Sequence, residues 1–292
     1  MKQLLFGISY FIQYWLSKNP KPIICGLVLH NNCNLRCRHC TIVDRPEAKM
    51  SYSETVRVID EFYEEGGRCL YLEGGEPFIW HDEEHRMEDI VMYAKQKGYL
   101  AVIIYTNGTR PIETKADTVF VSIDGLRETH DRLRGKSYDR IINNVRSSHH
   151  RAIFVNYTIN SLNCQEIEDF CSYVSNIPQI RGTFFYFHTP YYGYDELFLD
   201  PDWKKLIIKS LLELKKSYHI LNSTSGLRSA IRNDWKKKLE ICRIYEGGKY
   251  YSCCRENRNG SVCHDCGYLS YAEIDQALKL KSGALWNALK YF

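Results

Sequence analysis

The run Cys33-Asn34-Leu35-Arg36-Cys37-Arg38-His39-Cys40 sets three cysteines on a short polar loop directly after an apolar segment, Ile23 to Leu29. Three thiolates at C-x3-C-x2-C spacing can hold three corners of a four-iron cluster and leave the fourth iron open. A structural zinc site normally asks for four ligands. His39 could be the fourth, but its place between two cysteines makes tetrahedral closure awkward. The chain shows no secretory signal with a small-residue cleavage site, so its twelve cysteines read as metal or catalytic thiols in a reducing compartment, not as disulfides. A cytoplasmic, anaerobic metalloprotein is the expectation.

Gly74-Gly75-Glu76-Pro77 follows the apolar segment Cys69 to Leu72, one helix-plus-strand unit after the cysteine loop. Glycines at a strand end let the backbone approach a ligand closely, and a carboxylate there can hold an ammonium group. In this order and at this distance, the cysteine loop and GGEP resemble the radical S-adenosylmethionine (SAM) superfamily. The resemblance implies that Cys33, Cys37 and Cys40 bind a 4Fe-4S cluster. It also implies that the methionine amino and carboxylate groups chelate the open iron, and that the segment Gly74, Gly75, Glu76, Pro77 binds the amino group.

The likeness continues downstream. Strand Ala101 to Tyr105 ends in Thr106-Asn107-Gly108, and strand Thr118 to Val121 ends in Ser122-Ile123-Asp124-Gly125. Polar residues at the carboxyl ends of successive strands are where a β/α barrel builds its site. The resemblance carries Asn107, Ser122 and Asp124 over as cofactor contacts. His130-Asp131-Arg132-Leu133-Arg134-Gly135 resembles the family's HDxxRG stretch, in which Arg134 would face the carboxylate; a surface salt bridge is the competing reading. Where the family often has an aromatic residue near the adenine, this chain has His39, whose imidazole can stack or hydrogen-bond.

These residues need a scaffold of alternating strands and helices. The pattern predicts strand 23–29, helix 53–65, strand 69–72, helix 83–97, strands 101–105 and 118–121, helix 138–149, strand 152–159, helix 165–175 and strand 183–188. Such alternation means parallel strands with right-handed crossovers. The fold class is therefore α/β, a partial (β/α)6 TIM-like barrel with a small Cys-rich carboxyl-terminal extension. With 292 residues and 44% hydrophobic composition there is material for both. The expected domains are an amphipathic helix at 1–21, the barrel core at 22–200, a helical connector at 201–234 that includes the Lys-rich helix 202–218, and a Cys-rich domain at 235–292.

The last of these holds Cys242, Cys253, Cys254, Cys263 and Cys266, with Gly248 and Cys253 in a G-x4-C arrangement and Cys263-His264-Asp265-Cys266 as a C-x2-C knuckle. A zinc ribbon would account for the knuckle alone. The combination looks like a SPASM/twitch extension, which implies one auxiliary 4Fe-4S cluster on Cys242, Cys253, Cys263 and Cys266, with Cys254 as the alternative to Cys253. The short distance from Cys242 to Gly248 and the lack of later cysteines favour the truncated twitch form.

By the resemblance, a reduced cluster at roughly −400 to −700 mV cleaves SAM to methionine and a 5′-deoxyadenosyl radical that modifies an organic substrate. A low-potential donor such as ferredoxin or flavodoxin is the implied partner. Leu4, Leu5, Ile8, Phe11, Ile12 and Trp15 share one helical face with Lys2, Lys18 and Lys21 at the ends. That stretch is too short to span a bilayer and suits either an interfacial helix, hence peripheral membrane association, or a helix packed on the barrel. The amino-terminal region is also similar to hopanoid-adenosylating radical enzymes, which makes a lipid or isoprenoid substrate one hypothesis; the aromatic run Phe184 to Tyr192 could line an apolar pocket. A peptide or protein maturase is the second, although no QMD-like segment and no separate leader-binding domain are found. A zinc-binding nucleic-acid protein is the outside alternative, disfavoured by a net charge of only +4 and dispersed lysines. No catalytic acid or base can be named; Cys164, Tyr186 and Tyr192 are candidate hydrogen-atom donors.

Overall fold

The computed structural model describes residues 2–17, 20–40, 42–45, 48–191, 193–252 and 263–291. In chain order it runs α1 (Lys2–Leu16), β1 (Ile24–Val28), α2 (Tyr52–Glu65), β2 (Cys69–Glu73), the two-residue strands β3 (His81–Asp82) and β4 (His85–Arg86), and α3 (Met87–Lys97). There follow β5 (Ala101–Thr106), β6 (Thr118–Ser122), α4 (Arg127–Arg134), α5 (Tyr138–Ser147), β7 (Ile153–Ile159), α6 (Ile167–Ser175) and β8 (Ile180–Phe187). The chain continues with α7 (Pro201–Leu214), α8 (Thr224–Arg232), β9 (Cys242–Glu246), β10 (Lys249–Tyr251), α9 (Ser270–Leu278) and α10 (Ser282–Tyr291).

Eight strands form one sheet in the order β10-β9-β1-β2-β5-β6-β7-β8, parallel throughout except for the terminal β10–β9 pair. The α/β, TIM-like class holds. The sheet, however, is wider than six strands. Residues 242–251, assigned by the sequence to the Cys-rich domain with no strand predicted, form the hairpin β9–β10 and add to β1 with Ile24 level with Cys242. Helix 83–97 is shorter than the pattern predicted. Residues 81–86 form the small β3–β4 hairpin, and α3 starts at Met87 with Asp89 reaching back to the Arg86 N–H. Helix α4, which begins before the HDxxRG stretch and carries all of it but Gly135, has no signal in the pattern, because its eight residues carry few apolar positions.

Local chemistry explains the boundaries. Ser51 accepts from the Glu54 N–H and Asp200 from those of Asp202 and Trp203, so both helices begin on a side-chain cap. Each inner strand sends alternate residues to opposite faces. Leu27, Leu70, Leu72, Val102 and Ile104 pack outward under α2 and α3, while Ile24, Tyr71, Tyr105, Phe120 and Tyr186 line the barrel interior. Gly26 is required on β1. A Cβ there would lie 2.1 Å from the Tyr71 ring, which crosses the strand at that point.

Candidate active site

Three consecutive crossovers bring the predicted segments to one end of the parallel strands. The loop after β1 carries Cys33, Cys37 and Cys40, the turn after β2 carries Gly74 to Pro77, and β5 and β6 end at Asn107 and Ser122; all three thiols, His39, Gly74, Gly75, Asn107, Ser122 and Arg134 line one cavity of about 880 Å³. Gly75 makes this convergence possible, since a Cβ on it would sit 1.9 Å from the carbonyl oxygen of Asn32. The backbones of the two turns therefore touch. Gly75 N–H donates to His30 O (2.7 Å) and Glu76 N–H to Asn32 O (3.0 Å), which fixes the approach of the Cys loop.

Glu76 is held differently from the expectation of an ammonium-binding carboxylate. Fully buried, it accepts from the Thr106 hydroxyl (2.7 Å), the Asn107 N–H (2.6 Å) and the Phe78 N–H (3.1 Å). Burial pushes its pKa up while these donors oppose the shift. Its side chain thus ties the ends of β2 and β5 together, and the main chain of Gly74 and Gly75 faces the cavity. Pro77 is buried at the start of the short turn that follows. Asn107 in turn directs its amide to Asn34 Oδ1 (2.9 Å) and Cys33 Sγ (3.6 Å).

Arg134 is buried instead of forming a surface salt bridge. Its Nε donates to Asp124 Oδ2 at 2.5 Å, and its guanidinium reaches Cys37 Sγ at 3.8 Å. Asp124 also accepts from the Thr158 N–H (2.6 Å) and has His39 Nε2 at 3.6 Å. Burial alone would raise the Asp124 pKa, but Arg134 and then His39 bring it below its usual value. Burial, reinforced by Arg134, pushes His39 down to about 4, so its imidazole is neutral at physiological pH. Burial raises the Cys37 thiol to about 11, against the pull of Arg134. A cationic iron centre would reverse that balance.

Among the described residues no three Cys, His, Asp or Glu side chains meet at a point suited to a single metal ion. A four-iron cluster asks for something else, thiolates around a cubane, each on its own iron. Two orphaned polar atoms suit such a guest with a nucleoside beside it. His39 Nδ1 and Asn156 Oδ1 are buried without a protein partner, and both residues line the cavity near its polar end. Asn156, Thr158 and His188 were missed in the sequence. Asn156 and Thr158 are polar breaks in the apolar strand β7, which was the signal available; His188, held by Asp195 at 2.8 Å, gave none.

The tail cysteines sit on two elements. Cys242 opens β9, level with the first residue of β1, and packs among Val28, Ile42 and Ile244. Cys263 and Cys266 stand on the knuckle beside the end of β8, where the Gly267 N–H donates to Thr189 Oγ1 (2.9 Å) and the Phe187 N–H to Gly267 O (2.9 Å). Cys253 and Cys254 lie outside the described residues, and with them part of the expected four-thiol set. Of the candidate hydrogen donors, Tyr186 lines the cavity and bonds to Tyr105 and Ser270. Cys164 instead donates to Ser161 O (3.7 Å) and is not among the lining residues, and Tyr192 lies outside the described residues.

A parallel half-barrel with a three-cysteine loop and a glycine turn over one cavity defines the class of SAM-dependent radical enzymes. The family model "Radical SAM superfamily" matches residues 27–174, just over half of the chain, and the chain belongs to that superfamily. It is similar to Fe-coproporphyrin III synthase of Methanosarcina barkeri (31% identity, 54% of this chain and 42% of that protein). It is also similar to the antilisterial bacteriocin subtilosin biosynthesis protein AlbA of Bacillus subtilis (26%, 54% and 38%). The chain thus spans less than half the length of these two relatives. Among solved structures, Streptococcus suis SuiB bound to precursor peptide SuiA shares the fold at a TM-score of 0.65 and 12% identity, over 86% of this chain and 63% of that one. SuiB bound to S-adenosylmethionine gives 0.64 at 14%, over 80% and 60%. The chain is accordingly read as an enzyme.

Proposed function

We propose that the protein reductively cleaves SAM at a 4Fe-4S cluster held by Cys33, Cys37 and Cys40 and uses the resulting carbon radical on an organic substrate. The observation that carries this reading is the convergence of the three thiols with the Gly74-Gly75 main chain, His39 and Asn156 on one cavity. The bound cluster would supply one low-potential electron, received from a ferredoxin or flavodoxin. The protein's own groups do the rest. The Gly74-Gly75 main chain would accept the SAM amino group, Arg134 and Asp124 hold the wall beside Cys37, His39 would contact the base, and the barrel wall would limit water around a reactive carbon. Cys37→Ala, reconstituted anaerobically with iron and sulfide and reduced with dithionite, is expected to form no 5′-deoxyadenosine from SAM. Formation at the wild-type rate would overturn the assignment.

An auxiliary 4Fe-4S cluster in the tail is part of the same proposal, supported by the SPASM/twitch-like cysteine spacing. Iron content distinguishes the cases, about four per chain for one cluster and about eight for two. A peptide substrate is supported by the likeness to AlbA and by the fold shared with SuiB. The mainly apolar lining of the cavity favours an apolar small molecule.

A further inference from the structure

The cavity does not stop at the cysteine loop. Its lining descends past Tyr71, Tyr105, Phe120, Phe184 and Tyr186 to Ile24, Cys69 and Ala101, the first residues of β1, β2 and β5. It is therefore a bore through the barrel, about 20 Å long at roughly 3.3 Å per strand residue. Its walls are mainly aromatic and aliphatic. Ring pairs such as Tyr105–Phe120 (5.0 Å, stacked) keep them stiff.

At the far end, Tyr10, Phe11 and Tyr14 of α1 pack on Ile241, Ile274 and Leu278, so one face of the helix closes the barrel floor. The helix has further apolar side chains that face outward. Ile12, Trp15 and Leu16 are 57, 62 and 82% exposed, and Leu280 and Trp286, leading into and along α10, are 59 and 66% exposed. Ile12 and Leu280 also line the bore, which places its lower mouth between them. Cations stand at the same end: exposed Lys21 follows α1 and accepts the Tyr10 hydroxyl at its carbonyl (2.8 Å), exposed Lys281 follows Leu280, and half-buried Lys238 lies 5.7 Å from the Tyr14 ring. Of the local acids, Glu240 is engaged by the Tyr14 hydroxyl and Asp275 by Lys279. Aromatic and aliphatic side chains beside lysines on a helix too short to cross a bilayer match an anionic membrane surface.

We propose that this lower mouth rests on an anionic bilayer and admits an alkyl or isoprenoid lipid, whose chain threads the bore toward the cysteine loop. The proposal rests on the radical-enzyme reading only for what the chain meets at its upper end. A peptide is disfavoured, because its main-chain donors and acceptors would find few partners along aromatic walls.

The test uses two probes. The wild-type chain should co-sediment with vesicles of phosphatidylcholine and phosphatidylglycerol (3:1), and Trp15→Glu with Leu16→Glu should lower partitioning about tenfold. Unaltered partitioning of the double variant, or no sedimentation of the wild type, would overturn membrane docking. Cis-parinaric acid fluorescence reports the bore. Binding should survive Trp15→Glu and fall at least tenfold in Ala101→Leu, which narrows the passage, with circular dichroism verifying the fold. If Ala101→Leu unfolds, Phe120→Trp provides the same obstruction. Probe binding untouched by a folded obstructed variant, or displaced by an apolar peptide and not by geranylgeraniol, would refute the lipid channel. SAM cleavage by the wild type without substrate is measured separately, so failure of the radical reading is told apart from failure of this one.

Discussion

Replacing Arg134 by glutamine removes the only cation in contact with a carboxylate that has no exposed surface among the described residues. Asp124 would keep the Thr158 N–H at 2.6 Å and lose the Nε–H donor at 2.5 Å, with neutral His39 at 3.6 Å as its next neighbour. Breaking a buried pair from one side costs about 3–5 kcal/mol, because the remaining charge is stranded. At about 2–4 °C per kcal/mol for a chain of this order, that lowers Tm by about 6–20 °C. The sign of its pH dependence is fixed. In the wild type the Asp124 pKa is lowered, so its contribution is present at neutral pH and lost as pH falls through the folded-state value. In Arg134→Gln burial is left to raise that pKa, so the deficit is larger at pH 7 than at pH 4. Urea unfolding of the reduced, metal-free protein at both pH values is the assay. A double variant, Arg134→Met with Asp124→Asn, should recover at least half of the loss. A loss below about 1 kcal/mol, or a double variant no better than the single, would refute the argument that the pair holds the wall behind Cys37.

Glu273 on α9 faces the bore with Oε1 accepting from the Ser223 N–H (2.8 Å), and burial pushes its pKa up to about 7. A carboxyl whose pKa is raised on folding destabilises the native state as pH rises from its unfolded value through 7. Glu273→Gln should therefore match the wild type at pH 4.5 and exceed it by about 1–3 kcal/mol at pH 8, read by urea midpoint; equal midpoints at pH 8 would contradict the burial of the charge. Gly75→Ala should prevent the two turns from meeting and cost about 1–3 kcal/mol, with iron incorporation reduced; full iron loading at wild-type Tm would show that the Cys loop can retreat without penalty.

Much of the chemistry was legible in the chain itself, because it depends on residue type at fixed spacing. C-x3-C-x2-C, GGEP and the polar strand ends of β5 and β6 sit within short segments, and parallel crossovers leave them no other end of the barrel to occupy. Strands β1, β2 and β5 to β8 were equally readable from apolar runs, whereas the β3–β4 and β9–β10 hairpins and α4 were not, being short and weakly patterned. Tertiary packing decided what each side chain faces. Glu76 turned inward to three donors, Arg134 became the buried counter-ion of Asp124, and Asn156 emerged as an unpartnered acceptor, because none of these outcomes is set by neighbours in sequence. The sequence also could not tell that β9, opened by Cys242, would join β1, since strand pairing is a long-range choice. Nor could it divide α1 between two surroundings. Its periodicity marks an apolar stripe, but only the packed barrel shows Tyr10, Phe11 and Tyr14 spent on the floor and Ile12, Trp15 and Leu16 left to the outside.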